Sequence, residues 1–376
     1  MISVIQRELG EHPFGGHTLF YFGRCPLFYF GKSPLFYFDR SPLYHGRYFP
    51  GYRPHYGFPE MLRQLLSASL LACCVLLSSP TVARTFVLTP ENGDLVGEPR
   101  YITARHEDTL VDLARALDLG YNEIRGANPE IDAWLPGEGT KVAIPSLFIL
   151  PRAAREGIIV NLPEMRLYYY PQPGLGVPHS VVTHPVGVGR DDWPTPTGPS
   201  RIIQKLAQPA WYPPESIRRE HAAKGDPLPR MVPPGPENPL GEYALRLDFG
   251  SYLLHGTNKA YGIGMQVSHG CIRLYPSAIE SLFSQVPNGT RVELIDQPYK
   301  AGVRNGRLYV EVHPPLGESE TKSGDFIALL DVVQEVLATE GHRLAEQPDL
   351  QQLPRIFAAA SGVATPLHAE GQLASN

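Results

Sequence analysis

The stretch HGTNKAYGIGMQVSHGCIRLYPSAIESLF, residues 255–283, concentrates side chains that could do chemistry. It holds one thiol, Cys271, with His269 two residues before it, Arg273 two residues after it, and a second imidazole, His255, further upstream. A thiol attacks carbon as the thiolate, so it needs a nearby imidazole or positive charge to lower its pKa. His255, His269 and Arg273 supply both. His255 can approach Cys271 only if the chain folds back over the glycine-rich stretch Gly262–Gly264. Gly270 lets the backbone come close to a substrate, and its amide with that of Cys271 forms a candidate oxyanion cradle. Ser268 is a second hydroxyl nucleophile in principle, but the thiol beside it is the better nucleophile at neutral pH.

Other uses of these residues fit less well. Zinc would have His255, His269 and Cys271, only three ligands and no cysteine pair at finger spacing, so neither metal nor cofactor is expected. An inert buried cysteine has no need of two histidines, two glycines and an arginine around it.

The elements that must position this stretch are short and β-rich. GIIVNL, RLYYYP, HSVVTHPVGVG, RIIQKL, YALRLDF, SYLLHG and RVELID alternate with Pro- and Gly-containing turns across residues 156–297, a spacing that predicts a sandwich or barrel rather than βαβ units. One short helix is expected there, from Pro276, with Ile279, Leu282 and Phe283 on its apolar face. Upstream, residues 99–146 read as strand, helix, helix, strand. Asp108 is the expected cap of the first helix and Gly120 its end. Asn122 is expected to start the second and Asn128-Pro129 to stop it. Residues 298–376 predict a strand at Arg307–Val312 and a helix from Asp325, packed against the preceding domain, with disorder from about Ser361. A chain of 376 residues with 39 Pro and 36 Gly suits this mainly β reading. A net charge of −5 provides no basic footprint for nucleic acid.

The amino-terminal region points to export. From Met61 a charged start, an apolar run from Leu65 to Leu77 and the small residues before Arg84 have the order of a cleaved signal peptide over 61–83. The run is about 13 residues, short of the ~20 that a transmembrane helix needs, so no integral span is expected in the mature protein. Leu70-Leu71-Ala72-Cys73 offers a lipoprotein-type processing site as the lesser alternative. Residues 1–60 carry an eight-residue aromatic repeat, LFYFGRCP, LFYFGKSP and LFYFDRSP, expected to be a non-native extension upstream of the true start rather than an adhesive arm. Cys25, Cys73 and Cys74 all precede Arg84, which leaves Cys271 as a lone thiol in an oxidising compartment, the mark of a reactive cysteine.

Ser268-His269-Gly270-Cys271-Ile272-Arg273, with His255-Gly256 upstream, resembles the signature of the L,D-transpeptidase (YkuD) catalytic domain. Trp193-Pro194-Thr195-Pro196-Thr197-Gly198, Asn238-Pro239-Leu240-Gly241 and Tyr243-Ala244-Leu245 are similar to further family motifs. The 99–146 segment resembles a LysM module, through Asp108-Thr109-Leu110, Ala127-Asn128-Pro129 and Leu135-Pro136-Gly137…Ile144-Pro145. The resemblance implies a YkuD-type β-sandwich preceded by a βααβ peptidoglycan-binding domain, in a periplasmic enzyme. It implies Cys271 as the nucleophile that takes the diaminopimelate acyl group of a stem tetrapeptide. His255 would be the proton carrier, oriented by the Gly256 carbonyl, with His269 and Arg273 lining the site. The amine acceptor is either the lysine of an outer-membrane lipoprotein or a second diaminopimelate. Water as acceptor would make an L,D-carboxypeptidase, and a wall-binding protein without catalysis is the alternative of another class.

Overall fold

The computed structural model describes residues 84–317 and 322–368. The repeat at 1–60, the expected signal peptide at 61–83 and the three cysteines in these segments lie outside the described residues. After β1 (Arg84–Val87) come β2 (Leu95–Gly97), β3 (Arg100–Thr103), α1 (Leu110–Ala116), α2 (Tyr121–Ala127), β4 (Lys141–Ile144) and β5 (Leu147–Ile149). β3 pairs with β4 and β2 with β5, both antiparallel, which closes the βααβ segment.

Its helix ends differ from expectation. Thr109, not Asp108, caps α1 by accepting the Asp112 amide at 3.0 Å. Asp108 is taken instead by the amide and guanidinium of Arg105, each at 2.8 Å, a local pairing that competes with capping. The first helix gives out at Leu117, and Gly120 is the N-cap of α2, where Asn122 was expected to start it. Glycine has no side chain to cap with, so Glu123 at the third helical position accepts the Gly120 amide at 2.7 Å.

The next elements are β6 (Gly157–Asn161), β7 (Arg166–Tyr170), β8 (Ser180–Pro185), β9 (Val188–Gly189), β10 (Gly198–Ala207), α3 (Glu215–Ala223), β11 (Tyr243–Leu247), β12 (Leu253–His255), β13 (Gln266–Ser268), β14 (Ile272–Arg273), α4 (Pro276–Gln285) and β15 (Arg291–Ile295). Among the described residues nine strands form one sheet in the order β1-β8-β7-β6-β15-β10-β11-β12-β14, the mainly β architecture expected. The central strands read as unbroken apolar runs because both faces are covered. Ile158, Val160, Leu167 and Tyr169 enter a core with Ile279 and Leu282 of α4. Ile159, Tyr168, Tyr170 and Val181 pack with Leu110, Leu119, Ile124 and Val142 of the βααβ segment. Exposing those four sheet residues would cost about 1.5–3 kcal/mol each, so this segment is part of the sheet's own core. Helix α3 is a correction to the single helix expected in this region. Its sequence ESIRREHAA buries only Ile217, so there was no apolar stripe to reveal it.

A buried ion pair crosses the contact between the βααβ segment and the sheet. Arg166 is fully buried, and its Nε and Nη2 donate to Glu123 at 2.6 and 2.7 Å while its Nη1 reaches Thr183 at 3.1 Å. Glu123 therefore caps α2 and neutralises Arg166 at once. Beside it the Tyr121 amide donates to the Ile263 carbonyl at 3.0 Å and the Asn122 amide to that of Gly264 at 3.3 Å. A Cβ on Gly264, whose φ is +79°, would lie 2.4 Å from the Gly120 Cα, so this approach requires glycine.

The carboxy-terminal part comprises β16 (Tyr299–Arg304), β17 (Arg307–Val312), α5 (Lys322–Glu340), α6 (Leu353–Ala359) and β18 (Thr365–Pro366). The three strands form a separate sheet, with Val303, Leu308, Val310, Leu329, Val333 and Ile356 in its core. The disorder expected from Ser361 is not found over 361–368. The Gly362 amide donates to Val312 at 2.8 Å, β18 pairs with β17, and Ala364 is buried beside Leu95 and Ile149. Lys300 of β16 is buried, its Nζ 2.8 Å from Glu164, 2.7 Å from Glu311 and 2.7 Å from the Ile149 carbonyl, which ties this sheet to both earlier parts. No helix among the described residues is long and apolar enough to cross a membrane.

Replacing Glu123 by Ala strands the Arg166 charge in the interior. The expected loss is about 3–5 kcal/mol of unfolding free energy in urea, against less than about 0.5 for Glu130→Ala on the surface. Equal losses for the two variants would contradict the buried-pair account.

Candidate active site

The strand register brings the separated motif residues together. β12 and β14 run parallel, with Leu254 opposite Ile272 and His255 opposite Arg273, so Cys271 enters the sheet edge beside the strand that ends in His255. The Leu274 amide fixes this by donating to the His255 carbonyl at 2.8 Å. Between the two strands the chain turns back through a 3-10 helix at Ala260–Gly262 and the positive φ of Gly264. The expected fold-back over the glycines is therefore present.

The turn before Cys271 is built from the other motif residues. Ser268 is buried, its hydroxyl donating to the Cys271 carbonyl at 2.5 Å and accepting the Gly270 amide at 3.0 Å. That is a correction to the cradle read from the sequence, since the Gly270 amide is already committed to Ser268. Gly270 has φ +97°, and a Cβ there would meet the Tyr252 ring at 2.6 Å. Its carbonyl accepts the Thr195 hydroxyl at 2.9 Å, and that hydroxyl also accepts the Gly189 amide at 2.9 Å, which gives the Trp193–Gly198 motif its place. Asn238, wholly buried, donates to the Pro209 carbonyl at 2.8 Å and receives the Leu240 amide at 2.9 Å. It thereby ties down the long connection between β10 and β11, and Gly241 of that connection lies against Gly256.

His255 is 4% exposed, and its Nδ1 donates to the Gly256 carbonyl at 2.6 Å. A carbonyl only accepts, so the proton sits on Nδ1 and the lone pair of the neutral ring is on Nε2. His269, Cys271 and Arg273 are each partly exposed.

Residues 155–294 match the model of the L,D-transpeptidase catalytic domain, YkuD. The chain is 40% identical over 298 residues to the probable L,D-transpeptidase YcfS of Escherichia coli, covering 78% of this chain and 91% of that protein. It is 39% identical over 280 residues to the probable L,D-transpeptidase YbiS of the same organism, covering 73% and 88%. The probable L,D-transpeptidase ErfK/SrfK of Salmonella typhimurium is 40% identical over 252 residues, covering 66% and 80%. The chain belongs to the L,D-transpeptidase family.

In this L,D-transpeptidase burial governs the electrostatics of the site. It pushes the Cys271 thiol up from its ordinary value, against a backbone hydrogen bond at Leu253 and the positive charge of Arg273. The lowered thiol pKa expected from the flanking charges is thus not present in the resting site, where desolvation outweighs them. Burial also lowers His255 to about 4, helped by Arg273 and opposed by hydrogen bonds to the Gly256 and Leu240 backbone. Thiol and imidazole are both neutral at rest.

The main contributor that the sequence did not reveal is Glu220 on α3. His269 Nε2 lies 2.9 Å from Glu220 Oε2, while Arg190 Nη2 and Lys224 Nζ each lie 2.7 Å from Oε1. The Trp193 ring meets the His269 ring edge-on, with centroids 5.2 Å apart. A carboxylate 49 residues from its partner, on a helix with no apolar stripe, left no periodic signal. Among the described residues Glu164, Glu311 and His313 form one cluster of potential metal ligands, but Lys300 already bridges its two carboxylates.

The lowered His255 has a measurable consequence. The unfolded chain protonates this residue near its ordinary 6.5 and the folded protein near 4, so stability falls as pH drops through that window. Unfolding free energies measured across it are expected to decline with acid, and His255→Gln is expected to flatten that part of the slope. An unchanged slope in the variant would show that His255 is not the group responsible.

Proposed function

We propose that this L,D-transpeptidase acts on peptidoglycan stem tetrapeptides through an acyl-enzyme on Cys271. His255 Nε2 takes the thiol proton as Sγ attacks the carbonyl of the third stem residue, diaminopimelate. The tetrahedral intermediate collapses as that proton passes to the amine of the terminal D-alanine, which leaves, and a thioester remains. An amine acceptor then attacks the thioester, its proton passes to His255 and on to Sγ, and the free thiol returns. The observation that carries this reading is the tautomer of His255, fixed by the 2.6 Å bond to Gly256 with the ring beside the strand of Cys271. An imidazole that is neutral at working pH and presents its lone pair is a competent base for a neutral thiol.

Arg273 would hold negative charge of the donor peptide near the thiol, and the Cys271 amide would serve the oxyanion, with Gly270 and Ser268 shaping the turn. His269 would line the site. The proposed acceptor is the terminal lysine of an outer-membrane lipoprotein, and the proposed location is the periplasm. Sequence relatives in Escherichia coli and Salmonella typhimurium, organisms with an outer membrane, favour both. The βααβ segment is proposed to be a LysM module that holds the glycan. Trp134, 64% exposed, and Tyr101, 61% exposed, offer ring faces on which sugars stack.

The test is intact-mass spectrometry of the chain from Arg84 with a disaccharide-tetrapeptide, followed by an amine acceptor. The expected result is an acyl adduct on Cys271, loss of D-alanine and transfer to the amine. Cys271→Ala is expected to form no adduct while keeping the melting temperature of the parent. Turnover in that variant would reject the nucleophile, and release of the acyl group to water alone would make the enzyme a carboxypeptidase.

A further inference from the structure

We propose that Glu220 is a positioning residue for His269, and through it for the reaction proposed above, on which this inference rests. Three donors from three separate segments converge on its carboxylate: His269 of the motif, Arg190 after β9, and Lys224 at the end of α3. The side chain is 19% exposed, and its bonds to His269 and Arg190 are partly buried while that to Lys224 lies at the surface. Glu220 is held down to about 2 by the hydrogen bonds from Lys224, Arg190 and His269. It is therefore ionised at any working pH and acts only as an acceptor. His269 then carries a proton on Nε2, and burial, which lowers its pKa below the ordinary value, favours the neutral ring with its lone pair on Nδ1.

The rest of the surroundings support a positioning role. Trp193 stands edge-on to the His269 ring with an interplanar angle of 70°, which limits rotation of the ring away from Glu220. The ring of His221, on α3 itself, lies 6.4 Å away and is turned to Asp226 at 3.2 Å, so it does not compete for the carboxylate. Helix α3 buries only Ile217, which is weak apolar anchorage for a nine-residue helix. The charge-assisted bonds at Glu220 thus both fix a tautomer and pin the β10–β11 connection to the motif.

Glu220→Gln keeps the size of the side chain and removes its charge. The expected result is a fall of about tenfold or more in kcat for D-alanine release, because a His269 ring no longer held by Glu220 would not keep one face fixed beside the Cys271 turn. KM should change less than about threefold, because the role is exerted through His269 and not on substrate binding. Imidazole 15N spectra should change from a single Nε2–H form of His269 to a mixture of tautomers, and Glu220→Asp should recover part of both signals. Arg219→Gln, an exposed charge on the same helix, should match the wild type. The proposal is overturned if Glu220→Gln keeps the wild-type kcat, or if the His269 tautomer is unchanged. It is equally overturned if the variant only melts earlier, with normal turnover below its melting range. A wild-type protein that releases no D-alanine would sink the proposed reaction instead, leaving the tautomer spectra to judge Glu220 independently.

Discussion

The site depends on a charge buried far from water. Arg166 rises from the middle of the catalytic sheet into the contact with the βααβ segment, and Glu123 answers it from the first turn of α2. Buried pairs are weak evidence for stability in themselves, since desolvation offsets most of the attraction. Here the pair fixes a position. It sets α2 against the sheet so that Gly120 touches Gly264, and Gly264 begins the run into β13 and the turn at Cys271. A segment that reads as a separate binding module is thus packed against the stretch of chain that leads to the Cys271 turn.

The same dryness governs the reacting groups. Burial raises the thiol and lowers the imidazole, so both resting partners are uncharged. A preformed ion pair would be costly in this surrounding, and in the proposed reaction the charge would separate only as Sγ attacks the carbonyl. The positive charge of Arg273, which already favours the thiolate at rest, would then favour it further as it forms. Burial that opposes the resting thiolate therefore also strengthens the groups that stabilise the anionic transition state.

Much of this was legible in the sequence, for reasons that can be named. The strands were visible because residues such as Ile158–Val160 and Leu167–Tyr170 form apolar runs bounded by turns, and a two-sided core requires such runs. The return of the Cys271 strand to the strand of His255 was visible because a glycine-rich stretch connects them. The helix caps were misplaced because Asp108 has a nearer partner in Arg105, and because a glycine cap depends on a carboxylate three residues on. Helix α3 and Glu220 were not legible, since the helix makes its main contacts through charge, and charge has no period. The order of residues 361–368 was hidden for a related reason: small side chains read as disorder, yet Ala364 is buried beside Leu95 and Ile149.

The motif around Cys271 is mostly a device for making a turn. Ser268 bridges the Gly270 amide and the Cys271 carbonyl, Thr195 bridges the Gly270 carbonyl and the Gly189 amide, and Gly270 takes a backbone angle that disfavours side chains. The Gly270 amide, the Gly270 carbonyl and the Cys271 carbonyl are thus all held by protein hydroxyls, which fixes the turn without help from substrate. In the proposed reaction Cys271 is the member of that set whose side chain is left to react. A serine in its place would keep the geometry and lose the chemistry, because a neutral imidazole is poorly matched to the higher pKa of a hydroxyl without an acidic partner behind the ring. Behind His255 the partner is the Gly256 carbonyl, which orients the ring but carries no charge to stabilise an imidazolium. The choice of thiol and the absence of a carboxylate at this position are therefore two sides of one constraint.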